Sequence, residues 1–138
     1  MLRFFLSSHG HLASGYKSAA ELLLGELKDL SVFDAYVDES SPQQALELFF
    51  ETVQPDDTVI LLADLVGGSV ANAMAPYSVR SNTYVIGGIN LALLLELVML
   101  DHVTQEEIHA LIDIGKGTMK RIVLDLDTPL NDDNEDFY

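Results

Sequence analysis

A chain of 138 residues, 49% of them apolar, is long enough for one domain to close a core without covalent staples and too apolar to be disordered. It has no cysteine, which excludes disulfides, thiolate nucleophiles and cysteine-ligated zinc and is compatible with a reducing compartment. Its 22 acidic against 7 basic residues, a net charge of −15, argue against nucleic acid, whose phosphates are held by Lys and Arg; the charge suits either plain solubility or a basic protein partner.

Residues 2–6 read as a buried strand broken only by Arg3, and the strand runs into Ser7-Ser8-His9-Gly10-His11. That apolar start is too short for a signal peptide, and the longest apolar run, residues 91–100, carries Glu96 and is half the ~20 residues of a membrane span. A soluble, cytoplasmic protein is expected. Residues 12–30 carry Ala19, Leu22, Leu23, Leu27 and Leu30 at helical spacing and predict a first helix. A second short strand is predicted over 32–37. Ser40-Ser41-Pro42 then reads as an N-cap with a first-turn proline, opening a helix to about residue 53.

Gln54-Pro55-Asp56-Asp57 is a turn, and residues 58–63 (TVILLA) are apolar on both faces, as a central parallel strand should be. Asp64 ends that strand, and Gly67-Gly68-Ser69 leads into a helix over 70–78. A fourth strand is predicted over 83–86, ending in Gly87-Gly88. Asn90 opens a helix to about residue 100, and the capping-box spacing of Thr104 and Glu107 starts another to about 119. Residues 121–126 (RIVLDL) predict a last strand. Residues 127–138, with five acids and no base, read as a mobile acidic tail behind a single domain of residues 1–126.

The order predicts an α/β fold, an open and mainly parallel five-stranded sheet with helices on both faces. Ligands of such sheets sit at the carboxyl ends of the strands, near the reversal of strand order. Three strand ends are unusually polar: Ser8-His9-Gly10, Asp64, and Gly87-Gly88 followed by Asn90. A lone histidine at a strand end is commonly a loop residue. A carboxylate after six apolar residues is harder to explain by solvation; it either caps the next helix or holds an imidazole nitrogen, leaving the other nitrogen nucleophilic. Gly67, Gly68 and Ser69 expose backbone donors at a helix start, which suits a phosphate, although the motif alone is also a plain helix entry. Together these residues suggest a phosphohistidine site. His-x-His offers only two ligands, and His102 and His109 have no ligand spacing, so no metal is expected. His11 falls at the start of the first helix and is assigned no role. No GxGxxG or P-loop motif is present.

The N-terminal strand with SSHGH, the block LLADLVGGSVANA and the turn VIGGIN resemble, in order and spacing over residues 1–126, the EIIA component of the mannose/fructose/sorbose family of the bacterial phosphoenolpyruvate-dependent sugar phosphotransferase system. The resemblance implies that His9 is the phosphorylated histidine, taking its phosphoryl group from the carrier HPr and passing it to a histidine of EIIB. The membrane EIIC/EIID complex is then engaged only indirectly. It implies that Asp64 orients the imidazole and that Gly67, Gly68 and Ser69 hold the phosphoryl oxygens, with Ser8, Gly10, Asn72 and Asn90 as supporting residues and no cofactor. It implies a homodimer whose last strand, here residues 121–126, is antiparallel and exchanged between subunits. The family's usual aromatic residue before the Gly-Gly pair is Val66 here, and its usual proline after the serine is Val70. The other readings compatible with these residues are a dihydroxyacetone-kinase phosphotransfer subunit, a regulatory module phosphorylated on His9, and a dimeric binding protein in which His9 and Asp64 are structural.

Overall fold

The computed structural model describes residues 1–126; the expected acidic tail over 127–138 lies outside the described residues. Four strands form one sheet: β1 (Leu2–His9), β2 (Leu30–Ala35), β3 (Thr58–Ala63) and β4 (Thr83–Gly87). All neighbours are parallel, in the order β2-β1-β3-β4. The two centre strands are the most apolar stretches, as burial on both faces demands. Leu6 lies level with Leu62 on one side and Val32 on the other, and His9 lies level with Ala35. Strand order reverses between β1 and β3, so His9 and the residue after Ala63 stand at the switch point.

Side chains alternate across the strands, and each face is covered by its own helices. Leu2, Phe4, Leu6, Ile60, Leu62 and Ile86 pack against α1 (Leu12–Leu24), α4 (Leu91–Val98) and α5 (Gln105–Lys116). Phe5, Val59, Leu61 and Ala63 pack against α2 (Pro42–Glu51) and α3 (Ser69–Met74). Each fully buried aliphatic side chain contributes roughly 1.5–3 kcal/mol. Capping follows the sequence signals. Ser41 accepts the Gln44 N–H, with Pro42 behind it, and Thr104 accepts the Glu107 N–H.

The first helix is shorter than its periodicity suggests. It stops at Leu24 because Gly25 turns with φ 86°; Leu27 belongs to the return loop and Leu30 already opens β2. Leu22, placed on the packed side by spacing alone, is 87% exposed. The third helix is also cut short. Pro76 has no N–H to give to the carbonyl four residues back, and the chain continues as a 3-10 helix over Ala75–Val79.

Among the described residues the sheet has four strands, all parallel, not five with an antiparallel last strand. Residues 121–126 form no ladder within the chain: a strand needs an adjacent edge to pair with, and this segment pairs with none. Its side chains instead face outward, with Ile122 95% and Leu126 86% exposed. Among the described residues no helix is long and apolar enough to cross a membrane.

Candidate active site

β1 projects His9 beyond the last buried residue of the strand, with its side chain 42% exposed. Asp64, one residue past β3, is brought level with it by the parallel register, and its carboxyl is only 8% exposed. Oδ2 of Asp64 accepts two bonds from the same residue: the His9 backbone N–H at 3.0 Å and His9 Nδ1 at 2.9 Å. The backbone bond fixes where the ring starts, and the ring bond fixes how it is turned. Burial pushes the Asp64 carboxyl up, but the His9 backbone and imidazole outweigh it and hold the pKa below the usual carboxylate value of 3.8. An ionised carboxylate only accepts, so Nδ1 carries a proton, and in the neutral ring the lone pair is on Nε2. Asp64 does not cap α3, whose N-cap is Gly68, without a side-chain bond. Its Oδ1 is buried with no donor among the described residues, so His9 is the side chain that this carboxylate holds.

Gly67 and Gly68 give the loop its shape. Gly67 turns with φ 75°, which an L side chain resists. A Cβ on Gly68 would lie 3.4 Å from His9 Cε1, the carbon between the two ring nitrogens, so the loop backbone passes within contact of that edge. From Gly68 the chain enters α3, where the first intrahelical bond runs from Asn72 N–H to the Gly68 carbonyl. The N–H groups at Ser69, Val70 and Ala71 therefore have no intrahelical acceptor. The loop rests on Gly87, where a Cβ would approach Val66 Cγ2 to 3.0 Å and the Leu65 carbonyl oxygen to 3.3 Å.

The supporting residues divide. Ser8 is fully buried; its Oγ accepts the Ala13 N–H at 2.6 Å and so caps α1 from the strand below. Gly10 takes φ 60° to turn β1 into α1, and its N–H donates to the Ala35 carbonyl. Asn72 lines a groove with Tyr36, Asp38, Glu39 and Ser69 beside the site. Asn90 works elsewhere: it caps α4 through the Leu93 N–H and donates to the Gly115 carbonyl on α5.

The sequence reading missed two residues. Asp34 of β2 accepts His11 Nδ1 at 3.1 Å and also the Ser14 N–H and hydroxyl. Tyr36, just past β2, has φ 65°; its ring centroid lies 5.4 Å from that of His9 and its hydroxyl is 2.6 Å from Ser69 Oγ. An acid at the tip of β2, matching Asp64 at the tip of β3, was a readable signal for the first. The second depends on a backbone reversal that a sequence pattern does not show.

The sequence model of the PTS system fructose IIA component family matches residues 3–116. Solved structures resemble the chain over nearly their whole length. The mannose/sorbose-specific IIA subunit of the phosphotransferase system from Enterococcus faecalis is 27% identical, with a TM-score of 0.76 over 89% of this chain and 96% of that one. A putative phosphoenolpyruvate-dependent sugar phosphotransferase system permease from Klebsiella pneumoniae is 26% identical, with a TM-score of 0.80 over 87% and 90%. The PTS IIA protein associated with the fucose utilization operon of Streptococcus pneumoniae, 24% identical with a TM-score of 0.69 over 87% and 92%, shares the fold. No curated protein sequence matches the chain.

Proposed function

Because the chain belongs to the PTS system fructose IIA component family, and so is a phosphocarrier of a sugar phosphotransferase system, we propose that His9 is the residue that carries the phosphoryl group. The observation that supports this best is the double hold of Asp64 Oδ2 on His9, which leaves Nε2 as the free nucleophile. In the reaction, the Nε2 lone pair attacks the phosphorus of a phosphohistidine on HPr. The new N–P bond forms as the donor's N–P bond breaks, and the donor imidazole leaves with the electron pair. Asp64 offsets the positive charge that grows on the His9 ring. The amides at the start of α3, with the Ser69 hydroxyl, face the three phosphoryl oxygens. Phosphohistidine donor and phosphohistidine product are both phosphoramidates, so one N–P bond replaces another, the site's task is alignment and the step is reversible. The same geometry in reverse delivers the group to a histidine of EIIB, in the cytoplasm.

The acidic surface suits a basic carrier face. Asp38 and Glu39 line the groove beside His9, where opposite fields speed encounter. A homodimer would bury the apolar side chains of residues 119–126, which no element of the described chain covers.

The test is incubation with phosphoenolpyruvate, Enzyme I and HPr, followed by assay for acid-labile, base-stable phosphate on the chain. The proposal expects it on the wild type and not on His9→Ala. Equal labelling of the two would reject His9 as the carrier.

A further inference from the structure

We infer that Tyr36 is a positioning residue of the phosphoryl site, acting through a hydroxyl pair with Ser69; the inference rests on the phosphocarrier reading above. Three observations meet at this side chain. Its backbone has φ 65°, a conformation that a bulky aromatic residue rarely adopts and that persists where the surroundings over-determine it. The reversal has a visible consequence. Ala35 packs on the α2/α3 face, so simple alternation would send Tyr36 to the opposite face. The left-handed turn instead brings its ring to His9, with centroids 5.4 Å apart and planes 32° apart. From there the hydroxyl reaches Ser69 Oγ at 2.6 Å, across 33 residues of sequence.

The chemistry of that pair points one way. Two hydroxyls hold two protons, and their mutual bond uses one. The other is left to donate, and it is polarised by the first bond. With Tyr36 donating to Ser69 Oγ, the serine proton is the one left for another acceptor, at the first residue of α3 and next in sequence to Gly68. With the roles reversed, the tyrosine proton plays the same part. In either arrangement the pair keeps one proton to donate to an anion carried on His9, from an oxygen whose position the mutual bond restrains. Without Tyr36, Ser69 Oγ is a free rotor. Tyr36 is 57% exposed with its ring beside that of His9, so the phenol is a support at the site rather than part of the core.

The experiment measures phosphoryl transfer from phospho-HPr to the intact chain in four proteins: wild type, Tyr36→Phe, Ser69→Ala and the double variant. Phenylalanine keeps the ring and removes only the hydroxyl. Each single variant should slow the maximal rate about tenfold, the size of one hydrogen bond to a charged group, with KM for phospho-HPr unchanged. The double variant should be no slower than Ser69→Ala, because the two hydroxyls act as one unit. Thermal unfolding of Tyr36→Phe should match wild type. The inference is overturned if Tyr36→Phe transfers at the wild-type rate, if it changes KM alone, or if the two losses multiply. Should the wild type itself take no phosphate on His9, the phosphocarrier reading falls and this inference with it. A labelled wild type with an unimpaired Tyr36→Phe removes this inference alone.

Discussion

Two imidazoles stand two residues apart, and each is held at Nδ1 by a buried or half-buried aspartate: His9 by Asp64 at 2.9 Å and His11 by Asp34 at 3.1 Å. In both pairs the carboxylate pKa lies below its ordinary value, so in both the Nε2 lone pair is the one left free. The difference lies around them. His9 sits against the bare backbone of Gly68, under Tyr36 and at the switch point of the sheet. The His11 side chain is 77% exposed, at the residue that precedes α1. Asp34 also takes two bonds from Ser14, completing the cap that Ser8 begins. Among the described residues Asp64 takes no side chain but His9, and keeps a buried oxygen without a donor. An oriented imidazole is therefore not a site by itself; what separates the two is whether anything is arranged to receive an anion.

The largest test of that contrast is deletion of each ring. His9→Ala should lower phosphorylation to background, while His11→Ala should label at the wild-type rate in the same assay. A comparable loss in both would erase the distinction. Next is Asp64→Ala, which should slow transfer by about two orders of magnitude, the scale of an acid–base partner, with an unchanged circular dichroism spectrum. An unfolded Asp64→Ala chain would make the carboxylate structural. Gly87→Ala would force a Cβ against Val66 and the Leu65 carbonyl and shift the loop that carries Gly67 and Gly68. About a tenfold fall in rate is expected in kinetic assays of this variant, because misplacement of well under 1 Å already weakens alignment.

The smallest effect is on the His11 side and falls on stability. Asp34→Ala removes an α1 cap and should cost about 1 kcal/mol in chemical denaturation without changing transfer. Burial raises the Asp34 carboxyl, but the Ser14 and His11 bonds outweigh it, so its folded pKa is lowered from 3.8. Its contribution is therefore present above pH 3.8 and lost as pH falls through the lower folded value. Acid titrations of unfolding should show Asp34→Ala converging on wild type only in that acidic range. Convergence at neutral pH would mean that Asp34 contributes nothing as a charged cap.

Much of this was legible in the chain. TVILLA had to be a central strand, and its terminal Asp64 had to stand level with the end of another parallel strand. Ser41-Pro42, Asn90 and Thr104 marked helix starts by their own hydrogen-bonding chemistry. The sequence failed where a local pattern competed with tertiary demands. Leu27 and Leu30 keep helical spacing with Leu23, but Gly25 ends the helix and Leu30 is needed in β2. The RIVLDL segment has strand composition, but composition supplies no edge to pair with. Asn90 stood at a polar strand end and looked like a site residue, yet its carboxamide ties α4 to α5. Tyr36 was invisible because its direction comes from one left-handed residue.

The central claim is that Asp64 holds His9 Nδ1 and leaves Nε2 to carry phosphorus. Nitrogen-15 NMR of the imidazoles in the phosphorylated chain tests it at the atom. A single phosphohistidine, His9, modified at Nε2, with His11 unchanged, is the expected result. Phosphorus on Nδ1 of His9, or on His11, would contradict it.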